Sequence, residues 1–294
     1  MKLKEYQERT LKEVKTFLEQ LAFWRGRARE GGEWLFDFAE KAWEKAGVGR
    51  TYLKKKDGLG RLLPVFCLKI PTGGGKTLLA VKTVDLVQSL YLKRKTGLVV
   101  WIVPTQQIYR QTMQRLKDRD DPHRQHLDMV SAGKTLILEK TDGFTLQDVE
   151  EHLVVLMLML PSALRANKEA LRMFRDSGAF AAFFPPEEDK EGHAALLKRV
   201  QNLETFEGDD GYWGRQIKTS LGNTIRVLEP LIILDEGHKA YSEQAQSTLR
   251  NLNPCMIVEL SDRFSRLGNT PCQGAVLTDF FPPLHSPSSL SAQA

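Results

Sequence analysis

Long apolar runs are missing from this chain of 294 residues. No stretch of about 18 consecutive apolar residues occurs, so no membrane-spanning helix is expected. The opening MKLKEYQERT is charged and lacks the apolar centre of a signal peptide. Cysteine is scarce: Cys67, Cys255 and Cys272 are odd in number and far apart. That argues against a disulfide framework or a cysteine zinc site and makes the cytoplasm the expected location. His123 and His126 in PHRQH have ligand-like spacing, but no further ligands cluster near them in sequence. No internal repeat is present.

Hydrophobic residues make up 41% of the chain, enough for a sizeable core. The net charge of +5 is unevenly spread. Residues 61–120 hold eleven Lys/Arg against three Asp, a local +8, and residues 141–210 hold seven Lys/Arg against fourteen Asp/Glu, a local −7. The basic part suits a polyanion such as nucleic acid.

One stretch organises the rest: Val65-Phe-Cys-Leu-Lys-Ile-Pro-Thr-Gly-Gly-Gly-Lys-Thr77. The run Val65 to Ile70 reads as a buried strand, and Leu78 to Leu90 carries apolar residues at helical spacing. Strand, glycine-rich turn and helix are the context of a phosphate-binding loop. Gly73, Gly74 and Gly75 let backbone N–H groups close around phosphate oxygens, and the helix N-terminus adds its positive dipole end. Thr72 lines the same turn. Lys76 would reach the phosphates and Thr77 would hold Mg²⁺. The general pattern asks for Gly at position 70, where this chain has Ile70.

The chain in order reads as follows. Residues 3–22 form a helix, and a second covers roughly 33–46. Lys54-Lys55-Lys56-Asp57-Gly58 is a basic turn. A buried strand, Leu98 to Val103, ends at Pro104-Thr105, with Thr105 placed to cap a helix from Gln106 to Leu116. Residues 127–140 are expected to form one or two short strands. Leu153 to Leu160 is a further strand, ended by Pro161-Ser162, with a helix to about Arg175. Residues 176–216 break the rhythm and read as an insertion, helical near 193–204 and partly mobile. A helix at 219–228, the strand Leu231 to Leu234, a helix near 241–250 and the strand Met256 to Leu260 follow. Strands alternating with helices imply a three-layer α/β fold with a mostly parallel sheet, and ligands at the carboxyl ends of its strands.

Leu234 runs straight into Asp235-Glu236-Gly237-His238. A strand ending in two carboxylates is what a nucleoside triphosphatase needs opposite its phosphate loop. Asp235 would hold Mg²⁺, Glu236 would orient and deprotonate the attacking water, and His238 could couple the nucleotide to neighbouring loops. A kinase-like P-loop enzyme is the alternative from another class. It has no need of VPTQQIYRQT after the second strand or of IVELS after DEGH.

These segments, with EYQERT, IPTGGGKT, LMLPSALRANKEALRMFRDSGAF and SLGNTIRVLEPLIILDEGHKA, resemble superfamily 2 DExH helicases. The resemblance is strongest to the helicase (Res) subunit of type III restriction enzymes, over residues 3 to about 261. It implies the first RecA-like domain of a DNA helicase or translocase, using ATP and Mg²⁺, with DNA and a modification subunit of a restriction system as partners. Within it Gln7 matches a glutamine that reads adenine, and Pro104-Thr105 and Ser162 match loops that touch the nucleic-acid backbone. The implied organisation is an N-terminal helical segment at 1–60, the ATP-binding domain at 61–261 and an irregular tail at 262–294. Glu259-Leu260-Ser261 fits the next motif, but Asp262-Arg263-Phe264 stands where the family has Ala-Thr-Pro. The tail shows no strand or helix period, and no second RecA-like or nuclease domain is read there. Slow hydrolysis by this chain alone is therefore expected, and a truncated remnant that binds nucleotide or DNA with little turnover is the second alternative.

Overall fold

The computed structural model describes residues 3–30, 35–159, 172–206, 214–240, 242–262 and 275–279. Its centre is a sheet of seven strands: β1 (Val65–Lys69), β2 (Gly97–Val103), β3 (Thr135–Glu139), β4 (Leu153–Met159), β5 (Leu231–Asp235), β6 (Met256–Ser261) and β7 (Ala275–Asp279). Their order across the sheet is β3-β4-β2-β5-β6-β1-β7, and all pairings within it are parallel. The helices are α1 (Glu5–Ala28), α2 (Phe38–Lys45), α3 (Lys76–Leu86), α4 (Gln106–Lys117), α5 (Pro122–Val130), α6 (Leu146–Glu151), α7 (Lys190–Arg199), α8 (Leu221–Leu228) and α9 (Glu243–Arg250).

Alternate residues of each buried strand point to opposite faces, so the sheet feeds two cores. Phe66, Leu68, Val99, Trp101, Val155, Ile233 and Val258 belong to the first, with side chains from α1 to α5. Val65, Val100, Ile102, Val154, Leu156, Ile232 and Ile257 belong to the second, with side chains from α6, α8 and α9. This is the three-layer α/β arrangement expected of a P-loop domain. Residues 1–60 are not a free-standing appendage where they are described. Phe17 packs edge-on against Trp43 at 5.4 Å and Phe66 at 5.5 Å between ring centres, so α1 and α2 share the first core with β1.

Several expectations need correction. Residues 127–130 are helical, not extended: Asp121 caps α5 through His123 N, Pro122 occupies its first turn, and only 135–139 form a strand. The second helix begins at Phe38, where Asp37 accepts from the backbone N–H groups of Ala39 and Glu40. Helix α3 continues as a π-helical turn at Val87–Leu92. Within the insertion, Phe180, Phe184, Val200 and Leu203 all bury into the second core, and its helix is Lys190–Arg199 rather than 193–204. The tail expected to lack strands contributes β7, which pairs with β1 at Phe66 and Lys69. The expected helix after Pro161 falls mostly outside the described residues, which resume with a 3₁₀ turn at Arg172–Phe174.

Candidate nucleotide site

The phosphate-loop stretch lies between β1 and α3. Gly73 and Gly75 have φ of +75° and +83°, a region that costs a side-chain-bearing residue strain. Gly74 is small for another reason: a Cβ there would lie 2.7 Å from Ile70 Cγ2 and 2.8 Å from Pro71 O. Ile70, standing where the general pattern has Gly, is itself buried in the first core. The loop is tied from outside. Tyr6 Oη donates to Gly74 O at 2.7 Å and Gln7 Nε2 donates to the same oxygen at 3.0 Å. Gln7 is 4% exposed, and its Oε1 accepts from Lys4 N at 3.0 Å. The first-turn N–H groups of α3, which starts at Lys76, have no intrahelical acceptor by geometry.

Opposite the loop, β5 delivers Asp235 and then turns. Glu236 has φ +52°, a left-handed conformation uncommon for a residue with a side chain, and its N–H donates to Asp235 Oδ1 at 3.0 Å. The turn brings the Glu236 carboxylate to Lys76: Lys76 Nζ donates to Glu236 Oε1. The other oxygen, Glu236 Oε2, is buried without a hydrogen bond and lies 3.3 Å from His238 Nδ1. His238 Nδ1 also lies 3.2 Å from Ser261 Oγ at the end of β6. Asp235 is 5% exposed. Burial, then the neighbouring Glu236 charge, push its carboxyl up to about 6, against the opposing pull of Lys76 and the Glu236 N–H.

Sequence reasoning missed two members of this constellation. Tyr6 lies in the quoted EYQERT segment, but no pattern announces a tyrosine hydroxyl on a loop carbonyl. Asp262, noted only as a departure from a motif, enters the site: its Oδ2 accepts from Thr72 Oγ1 at 2.7 Å and lies 3.5 Å from Lys76 Nζ. Burial alone would raise the Asp262 carboxyl. The Thr72 hydrogen bond and the Lys76 charge outweigh it and hold the group below the ordinary carboxylate range.

Thr72, Lys76, Glu236, His238, Ser261 and Asp262 are thus linked by contacts at the carboxyl ends of β1, β5 and β6. Thr105 lies exposed at the carboxyl end of β2 and accepts from Ile108 N at 3.4 Å as the cap of α4, while Pro104 is buried. Ser162 lies outside the described residues. The two histidines of PHRQH part company: His123 Nδ1 meets Asp121 at 2.6 Å and His126 Nε2 meets Asp85 at 3.0 Å. Among the described residues, Glu236, His238 and Asp262 form the one group of three metal-ligating side chains, with ligand atoms within 4.8 Å of one another. None of the helices formed by the described residues is long and apolar enough to cross a membrane.

No curated protein matches the chain. The family model for the res subunit of type III restriction enzymes matches residues 1–264, which takes in α1, the phosphate-loop stretch and every strand but β7. The chain therefore belongs to the type III restriction enzyme res-subunit family and carries that family's helicase-type ATP-binding domain.

Proposed function

We propose that the domain binds Mg·ATP between residues 72–77 and Asp235, hydrolyses it to ADP and phosphate, and holds the DNA backbone along the carboxyl ends of β2 and β4. The observation that carries this reading is the meeting of Lys76 and Glu236 across the mouth of the sheet. A lysine at a helix N-terminus beside a left-handed glycine turn suits a polyphosphate. A carboxylate with one oxygen lacking a hydrogen bond suits a water to be deprotonated.

In this reading the first-turn amides of α3 and the Lys76 ammonium hold the phosphates, and Thr77 and Asp235 would hold Mg²⁺. The donor set fits a hard divalent cation, and a cation at Asp235 would offset the desolvation that raises its carboxyl. Bound Mg²⁺ would neutralise charge on the phosphate oxygens. Lys76 leaves Glu236 for phosphate oxygens, and Glu236 takes the proton of the attacking water. His238 ties this carboxylate to Ser261 and hence to β6. Adenine reading by Gln7 would have to share an amide that already holds Gly74 and Lys4. Thr105, Pro104 and Ser162 are assigned to DNA backbone, and a modification subunit of a restriction system is the protein partner that fits, in the cytoplasm.

Lys76→Ala tests the first part. The variant should lose about 1.5–3 kcal/mol of Mg·ATP binding, the scale of a charge-assisted contact. Fluorescent-nucleotide titration measures it, and equal affinity in the two proteins would remove the phosphate-loop assignment. DNA binding should be insensitive to sequence and should weaken steeply between about 50 and 200 mM salt, because phosphate contacts release counterions. Anisotropy with labelled duplexes reads this, and a flat salt response would count against backbone binding.

A further inference from the structure

Asp262 is the first residue past β6, and nothing in the reaction just described requires it. Its backbone neighbour is fixed: Ser261 O accepts from Ile70 N at 2.8 Å, at the start of the phosphate-loop turn. From there the Asp262 carboxylate reaches Thr72 Oγ1 at 2.7 Å, Lys76 Nζ at 3.5 Å and His238 Nδ1 at 3.8 Å. Two of these three partners belong to the phosphate-loop stretch itself. Lys76 therefore faces Asp262 as well as Glu236, the carboxylate assigned to the water that attacks the terminal phosphate. A carboxylate on those donors has the charge sign and the acceptor oxygens of a terminal phosphate.

We propose that Asp262 is a built-in competitor for the terminal phosphate, a residue that sets selectivity between nucleoside tri- and diphosphates. The inference rests on the phosphate-loop reading above. Glu236 and Asp262 both lie against the Lys76 ammonium, and Asp235 is close enough for their charges to interact, so a third phosphate enters against like charge and must take Thr72 and Lys76 from Asp262. A diphosphate, held deeper by the first-turn amides of α3, meets that competition less. Release of Asp262 needs only a side-chain rotation, since Ser261 anchors the strand end. The carboxylate would then be free to return when the terminal phosphate departs.

Calorimetric titration of Mg·ATP and Mg·ADP into the full chain tests this with wild type, Asp262→Ala and Asp262→Asn. The asparagine variant keeps the side chain's size and a hydrogen bond to Thr72 while removing the charge, so it serves if the alanine variant fails to fold. Mg·ATP should bind about tenfold more tightly to both variants, the worth of one charge-assisted contact, and Mg·ADP less than about threefold more tightly. Unchanged Mg·ATP affinity, or equal gains for both nucleotides, would overturn the selectivity role. Weaker Mg·ATP binding would overturn it too and make Asp262 a holder of metal or nucleotide. Lys76→Ala separates the two readings. Binding by wild type that depends on Lys76 but not on Asp262 sinks this inference alone, whereas no Lys76-dependent binding in any variant sinks both.

Discussion

The two faces of the sheet are built differently. The first carries long or regular helices: α1 runs for 24 residues and α3 and α4 for 11 and 12. Its side chains interlock through the ring cluster of Phe17, Trp43, Tyr52 and Phe66. The second face carries helices of six to ten residues and stretches of irregular chain. It is held at its base by polar side chains. Asn202 and Asn253 exchange hydrogen bonds at 2.8 and 2.9 Å, and the Arg226 guanidinium, 7% exposed, stacks on Phe174 at 4.4 Å and donates to Asn251 O. Periodic apolar helices make one face, and paired polar groups with scattered aromatics make the other. The first face also touches the phosphate-loop stretch, through Tyr6 and Gln7 of α1.

The largest test of this contrast is a pair of truncations. Phe17→Ala should cost about 3–5 kcal/mol of unfolding free energy, as ring removal from a packed core does. Phe184, at 7% exposure in the insertion, should cost at or below the bottom of that range when changed to Ala, because looser chain can collapse around the space. Urea denaturation of both variants compares them. Equal losses would mean that the irregular face is packed as tightly as the helical one.

A second test lies where the faces meet, at Asp235. Its carboxyl is raised to about 6 from an ordinary 3.8. The folded state therefore binds more protons than the unfolded state between those values, and stability falls as pH rises through that window. Above it the ionised group penalises the fold by about 3 kcal/mol, as an order of magnitude. Without Mg²⁺ or nucleotide, Asp235→Asn should raise the melting temperature at pH 7.5 and flatten the change between pH 4 and 6. Calorimetric melts across pH check this, and a variant less stable than wild type at pH 7.5 would reverse the sign of the argument.

The smallest effect sharpens the link from α1 to the loop. Tyr6→Phe removes one hydrogen bond to Gly74 O and should cost about 0.5–1.5 kcal/mol of stability. Mg·ATP affinity should fall only severalfold, because Gln7 still holds the same carbonyl. A loss as large as that of Lys76→Ala would give Tyr6 a direct part in binding the nucleotide.

The legible parts of the chain share a cause. The strands β1, β2, β4 and β5 are near-continuous apolar runs, and β6 is one interrupted by Glu259; all are buried on both sides, and such runs stand out from their surroundings. The loop with Lys76, and the Asp235–His238 turn, follow those runs directly. Less regular signals failed. Residues 127–130 read as extended because Leu127, Met129 and Val130 mimic a short strand, although Asp121-Pro122 is a helix start. The insertion read as loose because Phe180, Phe184 and Val200 bury without sharing one period. Asp262 was invisible as a site residue because its role comes from Thr72 and Lys76, distant in sequence and brought near by the pairing of β1 with β6.

That pairing leaves β1 with one further side, and β7 covers it. Without those five residues the phosphate-loop strand would form the margin of the sheet. Its unpaired N–H and C=O groups, flanked by Phe66 and Leu68, would offer a template for another chain's extended segment. Strand β7 takes that margin in its place: five residues from the stretch that looked least structured in sequence put the strand leading into the candidate nucleotide site inside the sheet, paired along both sides.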